Sequence, residues 1–538
     1  MNFDLPIISP GASPAFRDAK SCAAWLESLP LINVGPSHGR LLGELEELNC
    51  CSIAPTERLQ ILETLREAVL FVQTEHAKKF ASRAVPLAKP ERDILMNVLA
   101  LWGAYGHGYM HCLQGLASVN RALLASSTQL AFACQRALWC VSRKINEHLR
   151  CYQEVPSSDW KLLHELQVFA EEHKLSEQQV DHPAQGSAWK TTCAETYSHP
   201  LLLQLANPAE LSARQQGLAA RWLDRWGNNA HIRCAPVPEG APAKSPIVVD
   251  LAGSQAPDRQ AHEPAPGLRY VDTAELGKSI RMRIGLLQKG DSPDQLQLGD
   301  DVPGAMAEQL LKLLHRLWCE DKPPRSPPRR SATGTTAFTV GMGALHFYIM
   351  GMPFRQPGET KGFSKAQHEE IATFGRTSTR ADDEYALRNG FALEDWQIHD
   401  ESLAGMRLER RSGAGRFVHT QLIGVRPPDA RNFALATIRW LNVDQNYALM
   451  MGLQLMPGIP AGVAIRAIGL NAMNDKFVPA LMLSAVPALR SPESLVLPVG
   501  WYRPKRVIEL YSEKSRQVLL SAVLERGSDF ERVAFEAA

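Results

Sequence analysis

The chain has 538 residues, 45% of them hydrophobic, with 58 basic against 57 acidic side chains and a formal net charge of +1. That apolar share supports sizeable cores and excludes general disorder, and at roughly 150 residues per domain the length accommodates three or four domains. Balanced charge excludes a surface that coats a nucleic acid polymer or an anionic membrane, although a small anion site needs only two or three arginines.

The N-terminal MNFDLPIISP lacks the basic start and apolar run of a signal peptide. Ten cysteines, none in a CxxC pair and none after Cys319, read as reduced thiols of a cytoplasmic protein. Residues 14–232 read as a helical domain. Leu59, Leu62, Leu65 and Val69 form one stripe, and Thr56 after Pro55 reads as the N-cap. The same spacing recurs over Gln135 to Leu149 and Trp160 to Glu172. Ile94 to Asn120 and Ser331 to Phe354 carry no charge, but their glycines and polar residues do not make about 20 mainly apolar residues, so no membrane insertion is expected.

Residues 233–268 read as a Pro-rich linker, with seven prolines from Pro236 to Pro266 and one short strand at Ile247 to Leu251. Residues 269–370 form a mixed α/β intermediate region with helical spacing over Thr273 to Gln288 and Ala305 to Trp318. Within it, Lys322-Pro-Pro-Arg-Ser-Pro-Pro-Arg-Arg330 reads as a basic linker. From Thr335 the period shifts towards two. Runs at Arg416 to Arg426, Asn432 to Leu441, Ala448 to Met456 and Val463 to Ile468 read as strands. Ser494 to Leu497, Arg506 to Tyr511, Gln517 to Glu525 and Arg532 to Phe535 read likewise. The expected fold is α+β and multidomain, with a helical N-terminal half and an antiparallel β-barrel C-terminal half.

The most informative passage is Phe374-Gly-Arg376-Thr-Ser-Thr-Arg380, followed twenty residues later by Asp400-Glu-Ser402-Leu-Ala-Gly405. Two arginines four apart can hold a phosphodiester or stack on a purine. Asp400 and Ser402, two apart, would share one side of a strand, where a carboxylate accepts from guanine donors. Gly405 permits a tight turn or close approach of a ligand. The passage resembles the PilZ domain pattern RxxxR followed by [D/N]xSxxG. Phe433 to Leu441, ending Ile438-Arg439-Trp440, and Gly452-Leu-Gln-Leu also look like strands of that family. The resemblance places a PilZ-like barrel at 371–472, followed by a β-rich extension at 473–538. It implies that Arg376 and Arg380 take the phosphates of cyclic di-GMP, Asp400 and Ser402 read a guanine edge, and Gly405 shapes the turn. Gly375 and Met406 depart from common family patterns and bear on ligand stoichiometry and affinity. Arg325-Ser-Pro-Pro-Arg329 matches the same arginine spacing but has no DxSxxG at suitable distance, so it stays a linker.

Other signals are weaker. His107, His111 and Cys112 have zinc-like spacing, but no Glu follows His107 as HExxH requires, so buried histidines near packed tyrosines are expected and no metal. Gly341-Met-Gly343-Ala-Leu-His346 lacks the last glycine of a dinucleotide loop and reads as a strand turn. Asp382-Asp383-Glu384 and Glu369-Glu370 read as solvated charge. No hydrolase, kinase, Walker or deaminase set is present, so a non-enzyme without cofactor is expected. The resemblance thus implies a cytoplasmic cyclic di-GMP receptor that acts on a protein partner through its helical half, with motility, pilus or biofilm control implied by the family alone. A ligand-free adaptor with a degenerate barrel is the rival reading.

Overall fold

The computed structural model describes residues 3–118, 124–183, 189–236, 246–259, 265–320, 329–358, 379–468 and 476–538. The chain divides into two compact units, 1–324 and 325–538. The first is helical. Its helices are α1 (Ala19–Glu27), α2 (Val34–Asn49), α3 (Pro55–Phe80), α4 (Lys89–Ser118), α5 (Leu124–Arg150), α6 (Ser157–Glu172), α7 (Cys193–Leu205), α8 (Ala213–Trp226), α9 (Ala274–Lys289) and α10 (Gly304–Cys319).

The stripe Leu59, Leu62, Leu65 and Val69 is buried along α3. Pro55 itself enters the first turn, so the N-cap is Ala54 and Thr56 lies inside the helix. A proline suits that position because its missing N–H would be unpaired there anyway. The glycines of α4 do not break it. A Cβ on Gly108 would lie 2.8 Å from Leu62 and one on Gly115 would lie 2.3 Å from Pro55, so they let α4 sit close against α3 and its start. Tyr105 donates to the Leu62 carbonyl at 2.8 Å, and Tyr109 donates to Glu63 at 2.7 Å. His111 belongs to this packing, and burial, reinforced by Arg58 and His107, pushes its pKa down to about 4. Among the described residues no trio of His, Cys, Asp or Glu could hold a metal, and no helix is long and apolar enough to cross a membrane.

Short strands punctuate this unit. β1 (Val180–Asp181) pairs with β2 (Lys190–Thr191). β3 (His231–Arg233), β4 (Ile247–Asp250) and β5 (Leu268–Asp272) form a sheet in the order β3-β5-β4. The stretch read as a Pro-rich linker therefore contributes a paired strand, β4, with Val248, Leu268 and Tyr270 buried together.

The second unit holds two closed barrels. The first uses β6 (Arg330–Ser331), β7 (Thr335–Val340), β8 (Glu394–Ser402), β9 (Gly405–Arg410), β10 (Leu422–Arg426), β11 (Ala434–Val443) and β12 (Leu449–Leu455). Their order is β6-β8-β7-β10-β11-β12-β9, and pairing of β8 with β9 closes six of them into a ring, with β6 prolonging the sheet on β8. Closure removes free edges, which an open sheet would have to protect. Inside, Phe338, Trp396 and Phe417 pack ring to ring at 4.6–5.5 Å. The second barrel closes β13 (Pro460–Ala467), β14 (Val478–Leu483), β15 (Ser494–Pro498), β16 (Val507–Tyr511), β17 (Ser515–Arg526) and β18 (Phe530–Ala537) in the order β13-β14-β15-β18-β17-β16.

The α+β plan, helical half then antiparallel barrels, is the one the sequence predicted. The divisions inside the C-terminal half fall elsewhere. β7 lies in the stretch read as an intermediate region, yet it is a wall strand of the first barrel. β13, read as the end of the first barrel, pairs with β14 and β16 of the second. Gly341, at φ +90°, turns the chain from β7 into α11 (Met342–Met350). Leu345 of α11 packs with Leu422 and Leu435 of the first barrel and with Leu481, Val496 and Phe530 of the second, so the barrels share a core.

Candidate functional site

The hairpin joining β8 to β9 places the DxSxxG residues. Ser402 lies opposite Gly405, leaving Leu403 and Ala404 as a two-residue loop. The register slips between Ile398 and Asp400. Such a bulge puts two consecutive residues on the same face, and here His399 and Asp400 both reach the outer wall. His399 pairs with Glu409 there, while Asp400 lies opposite Arg407. Glu409 is held below the usual carboxylate range by hydrogen bonds from Arg411 and His399.

Gly405 is required by contact. A Cβ there would lie 2.0 Å from the Leu453 carbonyl oxygen, a backbone atom with no room to retreat. The Leu455 N–H donates to the Ala404 carbonyl at 2.9 Å, tying the loop to the end of β12. The Ser402 hydroxyl donates to the Gly405 carbonyl at 3.2 Å and keeps its lone pairs.

One row crosses the outer wall from this hairpin. Asp400 on β8 faces Arg407 on β9, Arg407 faces Gly452 on β12, and Gly452 faces Trp440 on β11. Adjacent strands lie about 4.8 Å apart, so the four positions span the footprint of a nucleobase and its sugar. The Trp440 indole covers Gly452, where a Cβ would come 1.8 Å from its Nε1. Arg407 contacts Met450 Sδ at 3.9 Å, and its buried Nε has no partner among the described residues. The row therefore offers a carboxylate, a guanidinium with unmet donors, and a flat aromatic surface.

The arginine beside Asp400 is Arg329. Its Nη1 donates to Asp400 Oδ1 at 2.6 Å, and both side chains are partly open to solvent. The next residues, Arg330 and Ser331, pair as β6 with Glu401 and Asp400. The segment read as a basic linker thus enters the barrel edge at the DxSxxG strand. Arg376 lies outside the described residues. Arg380 falls on the helix Thr379–Arg388, but its side chain is outside the described ones. Sequence reasoning missed Arg329, Arg407 and Trp440 as members of this group. Arg329 was quoted and discounted on spacing, while Trp440 was read only as a strand end. Arg407 carried one available signal, its position two residues beyond Gly405 on the same strand face.

Comparison with known proteins adds an independent observation. Residues 20–239 match the family model described as the cyclic-di-GMP receptor FimW N-terminal domain. Residues 463–538 match that of the FimW C-terminal β-barrel domain. The chain is similar to the cyclic-di-GMP receptor FimW of Pseudomonas aeruginosa, with 23% identity over 550 aligned positions covering 94% of this chain and 88% of that protein. The second barrel coincides with the C-terminal match, and the outer-wall row lies between the two matched segments.

Proposed function

We propose that this protein is a cyclic di-GMP receptor rather than an enzyme, and that the ligand lies on the outer wall of its first, PilZ-like barrel. The observation that carries the reading is the Arg329–Asp400 pair set beside Ser402, Gly405 and the Arg407–Trp440 row. The likeness to a cyclic-di-GMP receptor over most of its length supports the choice of ligand. In this reading Asp400 and Ser402 take the donors of a guanine edge, Arg329 swings from Asp400 to a phosphate, and Trp440 carries a base. Arg376 and Arg380 are assigned to the phosphates beside Arg329. The bound state differs from the empty one by the loss of the Arg329–Asp400 ion pair, and that difference lets the ligand shift a conformational equilibrium. The output is a protein partner met through the helical half in the cytoplasm, in surface motility, pilus or biofilm control.

Calorimetry of the full chain with cyclic di-GMP tests it. Loss of one charge-assisted contact costs about 1.5–3 kcal/mol, or roughly tenfold or more in affinity. Arg329→Ala and Asp400→Ala are each expected to weaken binding by that factor. Arg376→Ala with Arg380→Ala, also expected to weaken binding, tests the phosphate role of that pair separately from that of Arg329. Absence of heat from the unaltered chain would discard the receptor reading and leave the ligand-free adaptor.

A further inference from the structure

The helical unit contains a polar cleft of about 270 Å³ that the nucleotide reading does not use. α5 lines it with Arg143, Asn146 and Arg150, and α8 lines it with Gln216, Arg221 and Asp224. Three guanidiniums therefore face a single carboxylate. Arg150 is held by Glu147 at 3.2 Å and Arg221 by Asp301 at 2.7 Å. Arg143 differs from both. Its Nε has no partner among the described residues, its guanidinium lies 6.0 Å from the centre of the Trp139 ring, and its ion pair with Asp224 is stretched to 3.9 Å. Asp224 also faces His199 at 3.5 Å. Burial pushes the Asp224 pKa up, but the His199 hydrogen bond and the charges of Arg143, His199 and His182 outweigh this and keep the carboxylate ionised.

Three enclosed polar atoms without partners among the described residues line this cleft: Nε of Arg143, Nε of Arg221 and Oε1 of the buried Gln216. Buried donors left unpaired are costly, so the two guanidinium Nε–H groups call for an acceptor, whereas Gln216 Oε1 is itself an acceptor and calls for a donor. Three arginines and one aspartate line the cleft, but Glu147 and Asp301 pair with Arg150 and Arg221, which leaves Arg143 as the guanidinium without a close acid. A phosphate monoester at neutral pH carries about −1.5 to −2 and several strong acceptor oxygens. The guanidinium fork matches two of those oxygens at once.

We propose that this cleft binds a phosphoryl group, with Arg143 as its principal ligand and Asn146 and Arg221 at its flanks. Its size falls just below the usual 300–1,000 Å³ of drug-sized pockets, which favours a compact phosphate or mononucleotide over a cyclic dinucleotide. The site is separate in sequence and in charge from the outer wall of the first barrel.

The test is calorimetry of the full chain with inorganic phosphate, with guanosine 5′-monophosphate, and with cyclic di-GMP. Saturable binding of phosphate or the mononucleotide is expected, weakened tenfold or more by Arg143→Ala and unchanged by Asp400→Ala. Phosphate binding as well as the mononucleotide identifies the phosphoryl group itself as the recognised part, and tighter mononucleotide binding identifies a nucleotide source. Asn146→Ala, expected to weaken binding severalfold, serves as a second variant should Arg143→Ala lower the melting temperature. Failure of both probes to bind, or equal binding by both variants, overturns the proposal whatever cyclic di-GMP does at the barrel. Displacement of phosphate by cyclic di-GMP in the Asp400→Ala protein would overturn the separation of the two sites.

Discussion

The two barrels close with six strands each but deploy their arginines in opposite ways. In the second, Arg466 is bound to Glu509 at 2.6 Å and lies over the Phe477 ring. Arg532 donates to Ser491 and Ser494, and Arg506 covers Trp501 while donating to its carbonyl. Their donors are occupied and the interior is aliphatic, with Ile465, Leu495, Leu510 and Leu520 fully enclosed. In the first barrel Arg410 is treated in that way, buried over Trp396 and Phe417 and bound to Glu394 at 3.2 Å. The outer wall is not. Arg407 keeps a buried Nε without partner, and Arg329 is held by one acid alone among the described residues. Closure of a sheet makes a scaffold, and unmet donors grouped on one wall make a site. On the proposed reading the first barrel senses the ligand and the second supports it.

The largest effect expected from this contrast is on stability. Leu510→Ala empties part of the second core and should cost about 2–5 kcal/mol in urea denaturation. Cyclic di-GMP affinity, measured below the unfolding transition, should be unchanged. A tenfold loss of affinity would move the site towards the second barrel. Gly405→Ala should do both kinds of damage at once. Its new Cβ meets the Leu453 carbonyl at 2.0 Å, and overpacking against backbone costs about 1–3 kcal/mol. The displaced hairpin should also weaken ligand binding. Unaltered affinity in that variant would separate the DxSxxG turn from the ligand.

The strands that the sequence marked after residue 416 are present; β16 alternates enclosed with half-open residues, while β10, β11, β12 and β15 carry runs of consecutive enclosed residues that read as short apolar strands. β8 was not marked. Its Glu394, Asp395, Gln397 and His399 interrupt the apolar pattern, and only Trp396 and Ile398 point into the barrel. The site motif Asp400, Ser402 and Gly405 was legible because its three residues are local. Its arginine partner was not, since 71 residues separate Arg329 from Asp400. α11 and the residues that follow it stand between the first wall strand and β8, so a rule that looks about twenty residues before Asp400 does not reach Arg329. Arg407 and Trp440 were invisible for a different reason. They become neighbours only through the order β9-β12-β11, which no linear pattern contains.

The comparison of units extends to acid. In the helical unit burial lowers the pKa of His38, His76, His107, His111, His148, His164 and His182, and in the barrel unit it lowers that of His346. His38 and His76 stack with ring centroids 4.5 Å apart, and the His76 pKa is pushed down to about 4. An imidazole kept neutral by folding is protonated first in the unfolded chain. Stability is therefore complete above the unfolded value near 6.5 and is lost as pH falls towards the folded value. For His76 and His111 the loss at pH 5.5 is on the order of 1 kcal/mol each. Pulse proteolysis across urea gradients at pH 7.5 and 5.5, read by mass spectrometry, should show the helical unit weakening more than the barrels. Equal weakening would remove the histidines as the cause.

The smallest expected effect concerns how the barrels are joined. The row beside the site runs from Ser402 through Gly405 and Gln454 to Thr437, and the buried Thr437 hydroxyl donates to Glu525 on β17 of the second barrel at 3.0 Å. Thr437→Val keeps the shape and removes that donor. Because Glu525 is only partly buried, water can replace the lost partner, and the cost should be about 0.5–1.5 kcal/mol. If the second barrel is a passive support, cyclic di-GMP affinity stays within twofold of the unaltered chain, since the shared core around Leu345 still fixes both barrels. A change of fivefold or more without a matching stability loss would mean that the hydroxyl reports ligand to the second barrel. The difference between sensing and supporting barrels would then be one of sequence along a signal path, with β17 as its next member.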